Sequence, residues 1–337
     1  MFVPSVENRK VVGRMEKKKQ IAAILLALLM LLGVLAGCGN ESNTEKNDKL
    51  KIVTTIFPLY DWAGEIIGDE VKNAEITLLP NNGVDLHSFQ PTADDIIKIS
   101  TCDMFIYVGG ESDKWVDDAL KNVTNKDMKV RNLLDILGDS VKTEEAVEGI
   151  QEEDHEHEAE KDEHIWLSLK NAEVLVGGIS DALQELDLGN KETYKANATT
   201  YIEKLTALDS EYKKVIADAN KKTVLFGDRF PFRYLADDYG LKYHAAFVGC
   251  SAETEASFET VSFLAKKVDE LQLTCILTVE GTQHKIAETI VENTAEKNQK
   301  VLTIDSMQST TSKDIENGVT YLSAMEKNLT VLKEALN

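Results

Sequence analysis

From Leu50 onward the chain alternates between short apolar runs and longer stretches in which apolar residues recur every three or four positions. Runs of four to eight apolar residues bounded by turn residues predict buried strands, and the longer spacing predicts amphipathic helices. KIVTTI (51–56) reads as a strand, LYDWAGEIIG (59–68) as a helix closed by Gly68, and AEITLL (74–79) as a second strand ending at Pro80. PTADDIIKI (91–99) opens a helix with Thr92 as its N-cap, DMFIYVGG (103–110) is a third strand, and SDKWVDDALKNV (112–123) a third helix. The acidic stretch 144–163 carries almost no large apolar residue and predicts a mobile loop. HIWLSL (164–169) restores apolar character directly after it.

The longest helical signal runs over 190–220, with apolar residues at Tyr194, Ala198, Ile202, Leu205, Leu208, Tyr212 and Val215. A helix of that length spans about 45 Å, enough to cross a two-lobed molecule. Alternation then resumes: strands at 223–227, 243–249, 273–280 and 301–305, with helices at 231–240, 257–271, 284–295 and about 315–335. Strands that alternate with helices imply parallel sheets covered on both faces. The expected fold class is therefore α/β: two lobes, each a mostly parallel sheet flanked by helices, joined by one long rigid interlobe helix. The first lobe is placed at 50–189, the linking helix at 190–220 and the second lobe at 221–337.

Composition changes the picture at the N-terminus. MEKKKQIAAILLALLMLLGVLAGC (15–38) joins three lysines to an apolar run and a small-residue end. The run is shorter than the roughly 20 residues of a spanning helix, so it reads as an export signal. Leu35-Ala36-Gly37-Cys38 resembles the bacterial lipobox, which implies a signal peptide over 1–37 and a lipid-bearing Cys38. Residues 38–49, polar throughout, then form a flexible tether. With Lys+Arg 37 against Asp+Glu 58 and a net charge of -21, nucleic acid is excluded as a partner of the folded body. Cys102, Cys250 and Cys275 show no CxxC spacing and read as buried thiols, a Cys250–Cys275 disulfide being the alternative in an extracytoplasmic protein.

Ligands of open α/β sheets gather at the carboxyl ends of strands. His87 follows the second strand within the turn-rich NNGVDLHSFQPTADD (81–95), and His164 stands where the acidic stretch meets HIWLSL. Asp228, Glu280 and Asp305 follow strands of the second lobe. Imidazole nitrogens from one lobe and carboxylate oxygens from the other form a set that suits a divalent transition metal. No HExxH and no GxSxG is present, so neither a zincin nor a serine hydrolase is indicated, and a zinc-dependent hydrolase is the weaker alternative.

HSFQPTADDI (87–96) resembles the H-x-[YF]-x-P-T-x-x-D segment of the metal-specific solute-binding lipoproteins of ABC importers, the zinc/manganese cluster. TTIFPLYDWAGEIIGD (54–69), EHIWLSLKNAEVL (163–175) and NKETYKANATTYIEKLTALDSEY (190–212) resemble further segments of that family, so the likeness covers nearly all of the chain beyond the tether. The resemblance implies an extracytoplasmic, membrane-anchored, monomeric receptor that takes Zn²⁺, or alternatively Mn²⁺ or Fe²⁺, and delivers it to an ABC permease; an adhesion role is compatible with this. By the same resemblance His87 and His164 are metal ligands of the first lobe and Asp305 closes the site from the second. Where the family has its third ligand, this chain aligns Arg229, which offers no lone pair. Asp228 is the expected substitute, with Glu280 or water as alternatives. His155 and His157, within the acidic stretch, resemble the histidine-bearing loop of the zinc-binding branch and are expected to collect zinc weakly.

Overall fold

The computed structural model describes residues 49–145, 147–151, 161–251, 255–281 and 284–337. The export segment, the lipid-bearing Cys38, the tether before Lys49, and His155 and His157 lie outside them. Apolar runs become two four-stranded sheets, as the alternation predicts. The first lobe contains β1 (Leu50–Thr54), α1 (Phe57–Ile67), β2 (Ala74–Leu78), α2 (Ala93–Thr101), β3 (Met104–Tyr107), α3 (Val116–Leu120), β4 (Lys129–Asn132), α4 (Leu133–Leu137) and α5 (Leu169–Leu186). Next comes α6 (Lys191–Asp218). The second lobe contains β5 (Thr223–Phe230), α7 (Arg233–Tyr239), β6 (Lys242–Val248), α8 (Phe258–Leu271), β7 (Cys275–Val279), α9 (Lys285–Asn293), β8 (Lys300–Ile304), α10 (Ser312–Glu316) and α11 (Tyr321–Ala335).

The sheet orders are β2-β1-β3-β4 and β6-β5-β7-β8, the same permutation twice. Every pairing is parallel. The two lobes thus repeat one topology that their sequences do not reveal. Thr92 caps α2 as expected, with Asp95 completing a capping box. The pattern missed β4, α4 and α5. β4 is half-buried along its whole length, so KVRN lacks the apolar run that marks a strand. The predicted terminal helix divides in two around Gly318, whose φ of 87° breaks the helical path.

α6 buries Tyr194, Ala198, Tyr201, Leu205, Leu208, Tyr212 and Ile216. The stripe differs from the predicted one only in taking Tyr201 and Ile216 over their neighbours Ile202 and Val215, which pack at its margin. Spacing of three and four puts these side chains along one side of the helix, and they join a single apolar core that runs from Ile52 in β1 to Leu336 beyond α11. The lobes therefore do not have wholly separate interiors. Trp166 Nε1 donates to Ser306 O (2.8 Å) and the Tyr321 hydroxyl donates to Trp166 O (2.7 Å), tying the segment after His164 into the second lobe.

The acidic stretch is less free than its composition predicts. Its described ends are docked: Ile150 is buried, the Gln151 amide donates to Ala246 O in β6 (3.0 Å), and Thr143 bridges Lys161. Asp162 and Glu163 are buried as well, because Asp162 accepts from His164 and Glu163 from the Ser112 amide beside His87.

Asp61 in α1 accepts from the Tyr321 amide (3.1 Å) and the Tyr201 hydroxyl (3.3 Å), joining three helices at the core. Burial pushes its pKa up to about 7, outweighing the Tyr321 bond that lowers it. A carboxyl whose folded pKa exceeds its unfolded value stabilises the fold below the ordinary carboxylate range and loses that contribution as pH rises through about 7. Thermal unfolding of the metal-free protein should therefore move to lower temperature as pH rises through about 7. Asp61→Asn should flatten part of that slope but not all of it, since burial also lifts Asp113 and Glu280 to about 7.

Candidate metal centre

The loop after β2 is shaped to present one ring. Gly83 takes φ +80°, and a side chain there would press on Thr311 and on Ser309 O of the second lobe. Asp85 caps the 3-10 turn Leu86–Ser88 by accepting from the His87 amide (3.0 Å), while Leu86 is buried as the anchor. The other oxygen of Asp85 is ion-paired with Arg229 at the end of β5. Burial by itself would raise the Asp85 pKa, but the Arg229 charge and hydrogen bond hold it below the ordinary carboxylate range. Arg229 therefore braces the His87 loop across the lobes.

His87 Nδ1 meets Ser112 Oγ at 2.7 Å in the loop after β3, and the Ser112 amide donates to Glu163 Oε1 (2.8 Å). His164 is wholly buried. Its Nδ1 lies 2.9 Å from Asp162 Oδ1, which also accepts the His164 amide (2.9 Å). A carboxylate on Nδ1 fixes the proton there and leaves Nε2 as the donor atom for a cation, the usual support of a metal-binding imidazole. The two Nε2 atoms stand 3.2 Å apart. Two Zn–N bonds of about 2.0–2.1 Å at a tetrahedral angle would hold their nitrogens about 3.3 Å apart, so the spacing suits one shared ion.

Electrostatics separate the two rings. Burial, and then the neighbouring His164 charge, depress His87 to about 3. Burial also opposes a charge on His164, yet the Asp162 bond and charge outweigh it and lift its pKa above the ordinary value. The two Nε2 atoms therefore lie within hydrogen-bonding distance of each other, with the donor set by the tautomer of each ring.

The structure brings His87 and His164 together, but it does not bring Asp228 and Asp305 to them. Among the described residues, the groups of three or more metal-binding side chains with ligand atoms within 4.8 Å of one another are His87/His164/Cys250 and Glu144/Asp162/His164. Asp228 sits where the register of β5 against β6 shifts, and its oxygens accept the Arg229 amide (2.8 Å) and the Val279 amide (3.1 Å). Asp305 accepts the Met307 amide (2.8 Å) and supports that residue at φ +62°. Glu280 accepts from the Ser306 amide (2.6 Å), the Ser306 hydroxyl (2.7 Å) and the Gln308 amide (3.1 Å). Asp228 and the alternative Glu280 have both oxygens engaged in closing loops at strand ends, and Asp305 has Oδ1 engaged.

Sequence reasoning missed Cys250. It follows β6 directly, so the strand-end rule that selects His87 selects it too, but a cysteine without a CxxC partner reads first as a core thiol. Cys102, Cys250 and Cys275 are all free, so the alternative Cys250–Cys275 disulfide is not formed. Gly249 explains how the thiol reaches the histidines: a Cβ there would lie 3.0 Å from Phe230 O and 3.1 Å from the His164 ring. A side chain there would press on the Cε1–Nδ1 edge of that ring and require it to give by a few tenths of an ångström.

Residues 52–335 match the family described as ZnuA, zinc-uptake complex component A, periplasmic. The chain is 33% identical over 321 residues to the zinc-binding lipoprotein AdcA of Streptococcus pneumoniae serotype 4, an alignment covering 94% of this chain and 61% of that one. The chain thus spans about six tenths of the AdcA length. It is 30% identical over 331 residues to the high-affinity zinc uptake system protein ZnuA of Bacillus subtilis, covering 95% of this chain and 98% of the relative. Its fold is similar to the Zn(II)-bound ZnuA-like domain of S. pneumoniae AdcA, with a TM-score of 0.67 at 31% identity, over 86% of this chain and 99% of that domain.

Asp162 supplies the hydrogen bond that leaves His164 Nε2 free for a cation. Asp162→Ala should weaken zinc binding by about 10–100-fold in titration calorimetry with the far-ultraviolet circular dichroism unchanged. Asp162→Asn, which keeps an acceptor on Nδ1, should lose less.

Proposed function

The chain belongs to the ZnuA family of zinc-uptake components, and from that premise we propose that it is an extracytoplasmic receptor that captures Zn²⁺ between its lobes. It delivers the ion to the permease of an ABC importer, working as a monomer tethered to the cell membrane through lipid on Cys38. The observation that carries this reading is the pair of Nε2 atoms 3.2 Å apart, one on a loop of each flank of the first lobe. Each ring is oriented from behind, by Ser112 and by Asp162. Neutral imidazoles favour zinc over manganese on intrinsic grounds, since affinity for nitrogen ligands rises along the series toward copper and zinc.

Capture in such a site replaces the contact between the two Nε2 atoms with the ion. The second lobe covers the His87 loop through the Asp85–Arg229 pair and through Ser309 and Thr311 beside Gly83. Because one apolar core runs through both lobes, release needs a displacement of these covering loops and no wide hinge opening. Membership in an uptake family makes the role one of carriage, with no reaction performed on the ion.

Titration of the purified metal-free chain with Zn²⁺ should show one tight site. His87→Ala and His164→Ala should each lose more than the roughly 10–100-fold expected for removing a supporting partner. Saturating zinc should raise the unfolding temperature of the wild type and of neither variant. Absence of zinc binding by the wild type, or tighter binding of Mn²⁺ in direct competition, would overturn the zinc assignment.

A further inference from the structure

We propose that Cys250 supplies a thiolate as the third protein ligand of the metal site, and that this sulfur sets the preference of the site for zinc over manganese. This inference rests on the reading of His87 and His164 as metal ligands. A ring nitrogen from each histidine and Cys250 Sγ lie within 4.8 Å of one another. Zn–S and Zn–N bonds of about 2.3 and 2.0–2.1 Å put such atoms about 3.3–3.6 Å apart in a tetrahedral site. Asp228 and Glu280 each accept two backbone amides and Asp305 one, whereas the Cys250 thiol has to close that difference by turning toward the ion.

The backbone is built around this placement. Gly249 lets the turn after β6 pass against the His164 ring. The Cys250 amide donates to Glu144 Oε1 (2.9 Å), fixing the turn from the first-lobe side. Glu144 and Asp162 share the far flank of His164 with it. Gln308 completes the surroundings. Its Oε1 is buried without a hydrogen-bond partner among the described residues, while its Nε2 donates to Ser306 Oγ (3.0 Å).

The chemistry follows from the ligand type. A thiolate is soft and suits zinc, cobalt and cadmium, while manganese prefers hard oxygen ligands. Where Arg229 removes the family's usual third ligand, Cys250 restores three protein donors and one negative charge. Binding breaks the S–H bond, forms a sulfur–metal bond and releases the proton to solvent.

Cobalt, a spectroscopic stand-in for zinc, tests the proposal on the purified full chain. Co²⁺ added to metal-free wild type should give an intense near-ultraviolet thiolate-to-cobalt charge-transfer band. The band should vanish in Cys250→Ser and persist in Cys275→Ser, whose thiol lies at the opposite end of β7. Zinc affinity should fall at least about 10-fold in Cys250→Ser with a clearly smaller change for manganese, and Cys250→Asp should shift the preference toward manganese. Cobalt bound by wild type with only weak visible bands, or a charge-transfer band retained in Cys250→Ser, overturns the thiolate ligand and leaves the receptor reading standing. Failure of the wild type to bind either metal overturns both.

Discussion

Two imidazole nitrogens held 3.2 Å apart and away from bulk water form the constraint on which the rest of the structure turns. Such a pair cannot carry two positive charges, because burial and mutual repulsion both favour the neutral forms. Two neutral rings can share one hydrogen bond, because the Ser112 hydroxyl can donate to His87 Nδ1 and leave the proton of that ring on Nε2. A divalent ion takes the place of that hydrogen bond by meeting a lone pair on each ring. Asp162 and Ser112 decide which nitrogens face the ion by engaging the other two.

Holding that geometry requires more than the two loops that carry the rings. His164 begins the segment whose next residues, Ile165, Trp166 and Leu167, are fully buried, and Trp166 is bonded from both directions to the second lobe. The common core beneath α6 therefore sets the position of His164. His87 is positioned by polar contacts, through Asp85, Arg229 and Ser112. One ligand belongs to the rigid core and the other to a loop braced by an ion pair. The His87 loop is thus the element a partner can move with the smaller disturbance of the fold.

Much of this was legible in the residues. The α/β class, the long helix at 190–220, the Thr92 cap and the pairing of His87 with His164 all follow from periodicity, turn chemistry and a family likeness. The hidden elements had physical reasons for being hidden. β4 carries charge because it lies at a sheet edge with half-buried residues, and the ends of the acidic stretch fold because Asp162 and Glu163 find specific partners that composition cannot foresee. The repeated strand order was invisible because topology is preserved by packing, while the residues that pack are free to differ.

The second lobe shows where the strand-end rule stops. It locates loops, but it does not say which side chain in a loop faces the cleft. A carboxylate at a strand end has two competing uses, to accept backbone N–H groups left unpaired where the ladder stops or to face a ligand. Asp228 takes up the Val279 amide beside the register shift in β5, and Glu280 and Asp305 take up the amides of 306–308. Leaving such groups unpaired in a buried loop would cost about 1–3 kcal/mol each, so these carboxylates are retained by the fold. Cysteine is a poor acceptor for backbone amides and has no comparable structural claim on it. At a strand end beside two histidines, its thiol meets the Glu144 carboxylate and not the backbone of its own loop, so an ion can claim it without undoing the loop.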